Sequence, residues 1–477
     1  MIEKKAQKVF VSGKFAVIHS GHIRLFIAAK NLGLKLIVGL DTEGLDNSEV
    51  EWRTNFLKNQ EFIDEVVHFE SDLKQLILEI RPDLVIKGSE FSSQYNIEEE
   101  LVLSYGGELI FSSGSTYFSE TDLLSHKDSS ASNFGNKIPR DFLVRNRLDL
   151  KKTNQIVAEF SNIKVCVVGD LIIDEYINCH PLGMSREEPT VVVTPVDSQK
   201  FLGGAGIVAA HTVGLGATTT LISIIGNDEV GRWSAEKLDE YGVLFQPIKD
   251  KNHPTNLKQR YRSGSQTLFK ISHLNQDKTK AKIEKEIINK FEALAPEIDL
   301  LILSDFSYGV LNKQTTEALI TIAKKNGVFV SADSQTSSQI GDLTQFAGAD
   351  LITPTEIEAR YELKDNVSGL AVIVENLCQK INPKFIILKL GADGMVFTGT
   401  NRNGQRSDLD ALPSLNTSPV DVSGAGDSLL ATASLALAVE ENLSQAALLG
   451  SISAAMQVAS VGNIPIRLEN LRSFLKQ

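Results

Sequence analysis

The feature that most restricts how this chain can fold is a strand-and-helix alternation that runs, stops and starts again. Short apolar runs at 9–11, 36–40, 66–69, 84–87 and 109–111 alternate with helical-period segments such as 23–32 and 72–80. Uninterrupted apolar runs are strands covered on both faces, and helices between them are crossovers. The pattern therefore predicts a parallel sheet ending near residue 125. Residues 125–141, SHKDSSASNFGNKIPRD, are polar and rich in Ser, Asn and Lys, which reads as a linker. A long surface loop inside one domain is the alternative. Beyond it the strand pattern begins anew with IKVCVVGDLIIDEY (163–176) and resumes from about 298 with DLLILSDF, GVFVSAD, ADLITPT and KFIILKLG. Between these, 190–202 and 255–273 read as exposed β-ribbons. The expectation is two α/β domains, at 1–125 and 153–477, with 126–152 between them and a small β-sheet attached to the second.

Length and charge narrow the classes. A chain of 477 residues exceeds one ordinary core, in keeping with two domains. The net charge of −12, with no basic block, argues against a nucleic-acid partner. Only Cys166, Cys179 and Cys378 occur, without metal-ligand spacing, so a disulfide framework is not expected and a reducing cytoplasm is. The N-terminus lacks a signal-peptide pattern, and the Ala-rich stretch 429–439 is too short to span a bilayer, so no membrane partner is expected.

The strongest local signal is DVSGAGDS, residues 421–428, followed by the apolar helical run LLATASLALA. The amides of Gly424, Ala425 and Gly426 would stand at a helix N-terminus, where unpaired N–H groups and the helix dipole favour an anion. Asp427 beside bound phosphate would be repelled unless it takes a proton from an attacking hydroxyl, a combination suited to phosphoryl transfer. Spacing alone leaves open an N-capping turn with an incidental Asp.

This octapeptide closely resembles the C-terminal signature of the ribokinase-like (phosphofructokinase-B) sugar kinases, and the resemblance extends over about 160–475. VVGDLIIDEY, LGGAGIVAA, LSDFSYG, TPTEIEA and LKLGADGM follow in the same order. It implies Asp427 as general base, with Gly424, Ala425 and Gly426 as the anion hole. Asp174, Gly203 and Gly204 would hold the sugar, and Lys389, Gly391 and Gly394 would lie on the nucleotide side. ATP would be the co-substrate, with Mg²⁺ organised through water by Glu358. The β-ribbons would form a lid, which often makes a homodimer contact. The sequence departs from the pattern at Ile207 and Thr355, where Asn is usual, and at Gln335, where the heptose kinases usually carry Lys. The sugar is thereby put in question more than the kinase chemistry.

Near the start, GKFAVIHSGH (13–22) resembles the GxFDxxHxGH signature of the cytidylyltransferase-like nucleotidyltransferases. A strand, a glycine turn and a helix start bring imidazoles and amides onto a triphosphate, whose departing pyrophosphate gains charge. On residues alone, His19 and His22 could also be a metal pair or surface histidines, though no further ligands lie nearby in sequence. The resemblance implies nucleotide contacts from Gly13, Phe15, His19, Gly21, His22, Arg53, Lys87, Gly88, Ser119 and Thr121, with Arg53 ahead of a helix. Ala16 stands where the family has Asp, 41–50 contains no Lys, and Glu120 adds a carboxylate beside expected phosphates. Together these imply altered or reduced turnover.

The two halves together resemble the bifunctional enzymes of ADP-glycero-manno-heptose synthesis, in reversed order. That resemblance implies a kinase phosphorylating heptose 7-phosphate at C1 and, once another enzyme has removed the 7-phosphate, a transferase coupling the sugar 1-phosphate to ATP, with release of pyrophosphate, to give an NDP-sugar such as ADP-heptose. A single-activity carbohydrate kinase with a degenerate N-terminal nucleotide-binding or assembly module is the second hypothesis. A non-catalytic sugar-nucleotide sensor is the third.

Overall fold

The computed structural model describes residues 6–476 apart from 16–21, 23–24, 27–28, 31, 61, 71, 89–96, 113–137, 186, 189, 251–252, 264–265, 275–278, 336–340, 401–405 and 417–418. Of the expected linker, residues 126–137 fall outside the described residues, while 140–145 and 150–152 are helical. The chain forms two compact units. One is Met1–Phe142 with Asp365–Glu375 and Asp408–Pro413; the other is Leu143–Lys364 with Asn376–Ser407 and Ser414–Gln477.

The first unit contains β1 (Ala6–Gly13), β2 (Gly33–Asp41), α1 (Asn47–Lys58), β3 (Glu65–Phe69), α2 (Leu73–Ile80), β4 (Leu84–Gly88), α3 (Ile97–Ser104) and β5 (Glu108–Ser112). Its sheet is parallel in the order β3-β2-β1-β4-β5. The apolar run in β1 is continuous because both faces are covered. Val9 and Val11 pack on one side with Leu36, Val38 and Leu57 of α1, while Phe10 packs on the other with Ile77 of α2 and Val102 of α3. This is a Rossmann-like arrangement, whose strand order reverses between β1 and β4. Ligands of such sheets enter at that point, beyond the carboxyl ends of the strands.

The second unit is built on a sheet in the order β10-β9-β6-β13-β14-β15-β16-β17. Here β6 is Lys164–Gly169, β9 Thr218–Ile225, β10 Leu244–Lys249, β13 Leu300–Asp305, β14 Phe329–Ser334, β15 Leu351–Ile352, β16 Phe385–Lys389 and β17 Met395–Gly399. All pairings are parallel except β16 with β17. A separate sheet, β12-β11-β7-β8, is made by the ribbons β7 (Leu171–Met184), β8 (Val191–Gly204), β11 (Asn256–Ser263) and β12 (Gln266–His273). The first half of β7 is buried and the second exposed, so one strand carries the chain from core to lid. Leu182, Met184, Val191 and Val196 are exposed on the lid.

Helices α4 (Ala205–Gly214), α5 (Glu356–Leu363), α6 (Ala425–Val439) and α7 (Leu443–Gln457) complete the part of the unit that concerns the site. The Ala-rich stretch is α6, buried nearly all round, which accounts for its composition without a membrane. Among the described residues no helix is long and apolar enough to cross one.

Candidate active site

α6 begins where a helix is cheapest to start against a ligand. Its N-cap is Gly424, at φ 76°, a left-handed conformation that favours glycine. A Cβ there would collide with Asn463 Oδ1. Gly424, Ala425 and Gly426, at the start of α6, line a cavity of about 390 Å³. Asp427, in the first turn, lines the same cavity and is only 5% exposed. Its carboxylate accepts a hydrogen bond from Gln335 Nε2 at 2.9 Å. Burial, and after it the Asp333 carboxylate, push its pKa up to about 7, against the pull of Lys389. A carboxylate poised there can take a proton near neutral pH.

Asp174, placed by the buried half of β7, lines the same cavity. Gly203 of β8 lets it approach: a Cβ on Gly203 would lie 2.6 Å from Asp174 Oδ2. Gly204, at φ 55°, leads β8 into α4 where a side chain would strike the Asp170 carbonyl. Asp174 and Tyr176 pair in register with Lys258 and Arg260 of β11. Side chains two apart share a strand face, so cations and carboxylate meet on one side of the lid. Arg260 Nη2 lies 3.3 Å from Asp174 Oδ1, and Arg260 Nη1 donates to Ser423 Oγ at 3.1 Å. Tyr176 Oη donates to Asp421 Oδ2 at 2.8 Å. Burial pushes Asp421 up, but the Gly462 and Ser423 amides and that hydroxyl hold it below the usual carboxylate range.

Lys389 ends β16 and is buried. Its Nζ donates to Asp333 Oδ1 and Oδ2 at 2.9 and 2.8 Å. Burial alone would push the ammonium down, but Asp333 and Glu358 carry it above the usual lysine range. Gly391, at φ 64°, and Gly394, at φ 91°, also line the cavity. Thr355 caps α5, and its own amide donates the reciprocal bond to Glu358 Oε2 at 2.7 Å. Thr is a good cap, so the usual Asn is not needed there for helix initiation. Ile207 is fully buried within α4 and does not line the cavity.

The kinase-half residues anticipated from sequence thus gather in one place: Asp174, Gly204, Glu358, Lys389, Gly391, Gly394 and residues 424–427 border the cavity, with Gly203 behind Asp174. Sequence reading passed over Lys258 and Arg260 as site residues. The i, i+2 spacing of cations in LKQRYRS, within a ribbon expected to be a lid, was the available signal.

In the first unit, Gly13 ends β1 and Lys87 and Gly88 end β4, both at the point of strand reversal. The Phe15 and His22 rings are edge to face at 5.4 Å between centroids. Arg53, expected ahead of a helix, lies within α1, because the short 41–46 turn lets the Asp46–Glu49 capping box start that helix early. Its Nη1 donates to the Lys14 carbonyl at 2.9 Å and its Nη2 lies 3.3 Å from Glu49 Oε1. Lys87 Nζ pairs with the buried Glu98 at 2.7 Å. Ala16, His19, Gly21, Ser119, Glu120 and Thr121 lie outside the described residues.

The glycine-led helix with its buried acid, the lid and the largely parallel sheet define a sugar-kinase class, and the profile of the pfkB family carbohydrate kinase matches residues 162–469. The chain belongs to that family. Among curated relatives, the protein named "Bifunctional protein HldE" of Campylobacter fetus subsp. fetus is 30% identical over 318 residues, 65% of this chain and 67% of that one. The protein of the same name from Nitratiruptor sp. is 29% identical over 314 residues, 65% of this chain and 64% of its own, so this chain spans about 64% of that relative's length. A ribokinase from Thermotoga maritima superposes with a TM-score of 0.51 at 21% identity, covering 66% of this chain and 99% of that one. Arabidopsis thaliana ribokinase, solved with ribose and ATP, gives 0.51 at 19% identity, again covering 66% and 99%. These structures share the fold of the second unit's family.

Proposed function

We propose that the chain is an ATP-dependent kinase of a sugar phosphate, resembling the heptose 7-phosphate 1-kinases, whose N-terminal unit transfers a nucleotidyl group to the sugar 1-phosphate that remains once another enzyme has removed the 7-phosphate. The observation that carries the kinase half is Asp427, buried in the first turn after 424–426 and lining the same cavity as Asp174. Asp427 takes the proton of the acceptor hydroxyl, the amides at the start of α6 receive the transferred group, and Asp174 holds the sugar. Lys258 and Arg260 give the acceptor side two cations, which suits an acceptor that already carries a phosphate.

Mg²⁺ fits this arrangement. The described residues hold no cluster of three metal-ligating side chains, yet Mg²⁺ is ordinarily held by one or two carboxylates, water and substrate phosphates. Glu358, bordering the cavity, is the carboxylate for that role, and the ion would neutralise phosphate charge. The exposed apolar residues of the lid suit a second copy of the chain, giving a homodimer through that sheet.

A second reading, a single-activity kinase with a degenerate N-terminal module, is favoured by the engagement of Lys87 with Glu98 and of Arg53 with Glu49 and a carbonyl. One pair of assays separates the two. With ATP, Mg²⁺ and heptose 7-phosphate, ADP release is expected. With ATP and heptose 1-phosphate, pyrophosphate release is expected on the first reading and none on the second. No turnover in either assay, across a panel of sugars and nucleotides, would favour a sensor. Asp174→Asn is expected to raise the acceptor KM by ~10–100-fold, the scale of a hydrogen bond to a charged group, with kcat changed little. An unaltered acceptor KM in steady-state kinetics would remove Asp174 from the sugar site.

A further inference from the structure

Two polar side chains, Lys389 at the end of β16 and Gln335 just after β14, converge on the turn that opens α6. A Cβ built on Gly426 would lie 3.2 Å from Lys389 Nζ and 3.7 Å from Gln335 Nε2. Their partners differ. Gln335 donates to Asp427, whereas Lys389 places two donors on Asp333. An ammonium has three N–H donors, so the Asp333 pair leaves one for another acceptor. Stability is a weak reason for a lysine here, because a buried ion pair can often be replaced by apolar side chains without loss. Asp333, Glu358 and Asp427 all act electrostatically on Lys389, so this end of the cavity is otherwise negative, although phosphate must enter it.

The geometry points to Lys389 as the cation that stabilises the phosphoryl group during transfer, with Gln335 positioning the Asp427 base. This rests on the kinase reading above. As the bond from the γ-phosphorus to the ADP oxygen breaks, the bond to the acceptor oxygen forms, and the acceptor proton passes to Asp427. Lys389 keeps its protons and donates a hydrogen bond to a peripheral oxygen of the group in flight, where charge is spread.

The test uses the full chain with Mg²⁺, ADP and heptose 7-phosphate, with and without aluminium fluoride as a mimic of the planar phosphoryl group, read by calorimetry. The wild type is expected to bind ADP more tightly when fluoride is present. Lys389→Met is expected to shrink that fluoride-dependent gain by ~100-fold, the scale of losing one preorganised donor, while ADP affinity without fluoride stays within about threefold. Lys389→Met strands Asp333, so Lys389→Met/Asp333→Asn is measured beside it to keep the fold. Lys389→Thr/Gln335→Lys is expected to recover at least ~10-fold of the gain, since the two side chains reach the same point. Equal losses with and without fluoride would move Lys389 to the nucleotide and overturn the proposal. So would a full fluoride response in the folded double variant, or no response in a wild-type chain that binds ADP. A wild-type chain that binds no ADP would remove the kinase reading itself, and this proposal with it.

Discussion

Asp427→Asn should cut phosphoryl transfer at least ~100-fold, the usual scale for losing a general base, with the fold intact. The amide fills the same space and can still accept from Gln335. In the wild type the base must be ionised, and its pKa is pushed up to about 7. Turnover should therefore rise with pH through a single ionisation near neutrality and fall below it. Stability should move the other way. A carboxyl whose folded pKa lies above its unfolded value holds its proton more tightly in the native state. Its contribution is present at acid pH and lost as pH rises through about 7. Asp427→Asn should thus melt above the wild type at pH 8, and the difference should vanish toward pH 4. Coupled ADP assays and thermal melts across that range check both. Near-normal turnover in the variant, or a flat rate profile from pH 6 to 8, would remove Asp427 as the base.

Gly424→Ala should be nearly as damaging, for a backbone reason. At φ 76° an added Cβ is strained, and here it also meets Asn463 Oδ1. The left-handed conformation costs an L-residue ~1–2 kcal/mol before any collision. Relief requires the turn to rotate, which re-aims the amides of residues 424–426. Misdirecting one such donor is expected to lower kcat by ~100-fold or more. Gly391→Ala provides the contrast: its φ is 64°, but nothing lies within 4 Å of an added Cβ. It should lose only the ~1–2 kcal/mol of left-handed strain, with little change in kcat. Equal kcat losses in the two variants would mean that strain, not the amide array, sets the rate.

Much of the site was legible because its chemistry is local. The 424–427 turn carries the cap, the amides and the acid within a few residues, and Gly424 is required by backbone angle and contact alike. Asp174 was legible only through family resemblance, since one acid in an apolar strand has no periodicity to announce it. The lid cations were missed because their meaning depends on pairing: Lys258 matters through its register with Asp174, eighty-four positions away. Arg53 falls within its helix rather than ahead of it because the Asp46–Glu49 capping box starts that helix early.

The sequence by itself determined the elements: two sets of alternating strands and helices, the glycine-led start of α6, and the family. These follow from periodicity, turn chemistry and short motifs, which are read within a few residues of themselves. Only the tertiary structure decided which charges meet. Parallel pairing sets Lys389 of β16 close to Asp333 of β14, and both near Asp427 at the head of α6. In the other unit, Lys87 meets Glu98 across the end of β4 and the start of α3. Charge interactions depend on distance and burial, and neither is written in the spacing of residues along a chain.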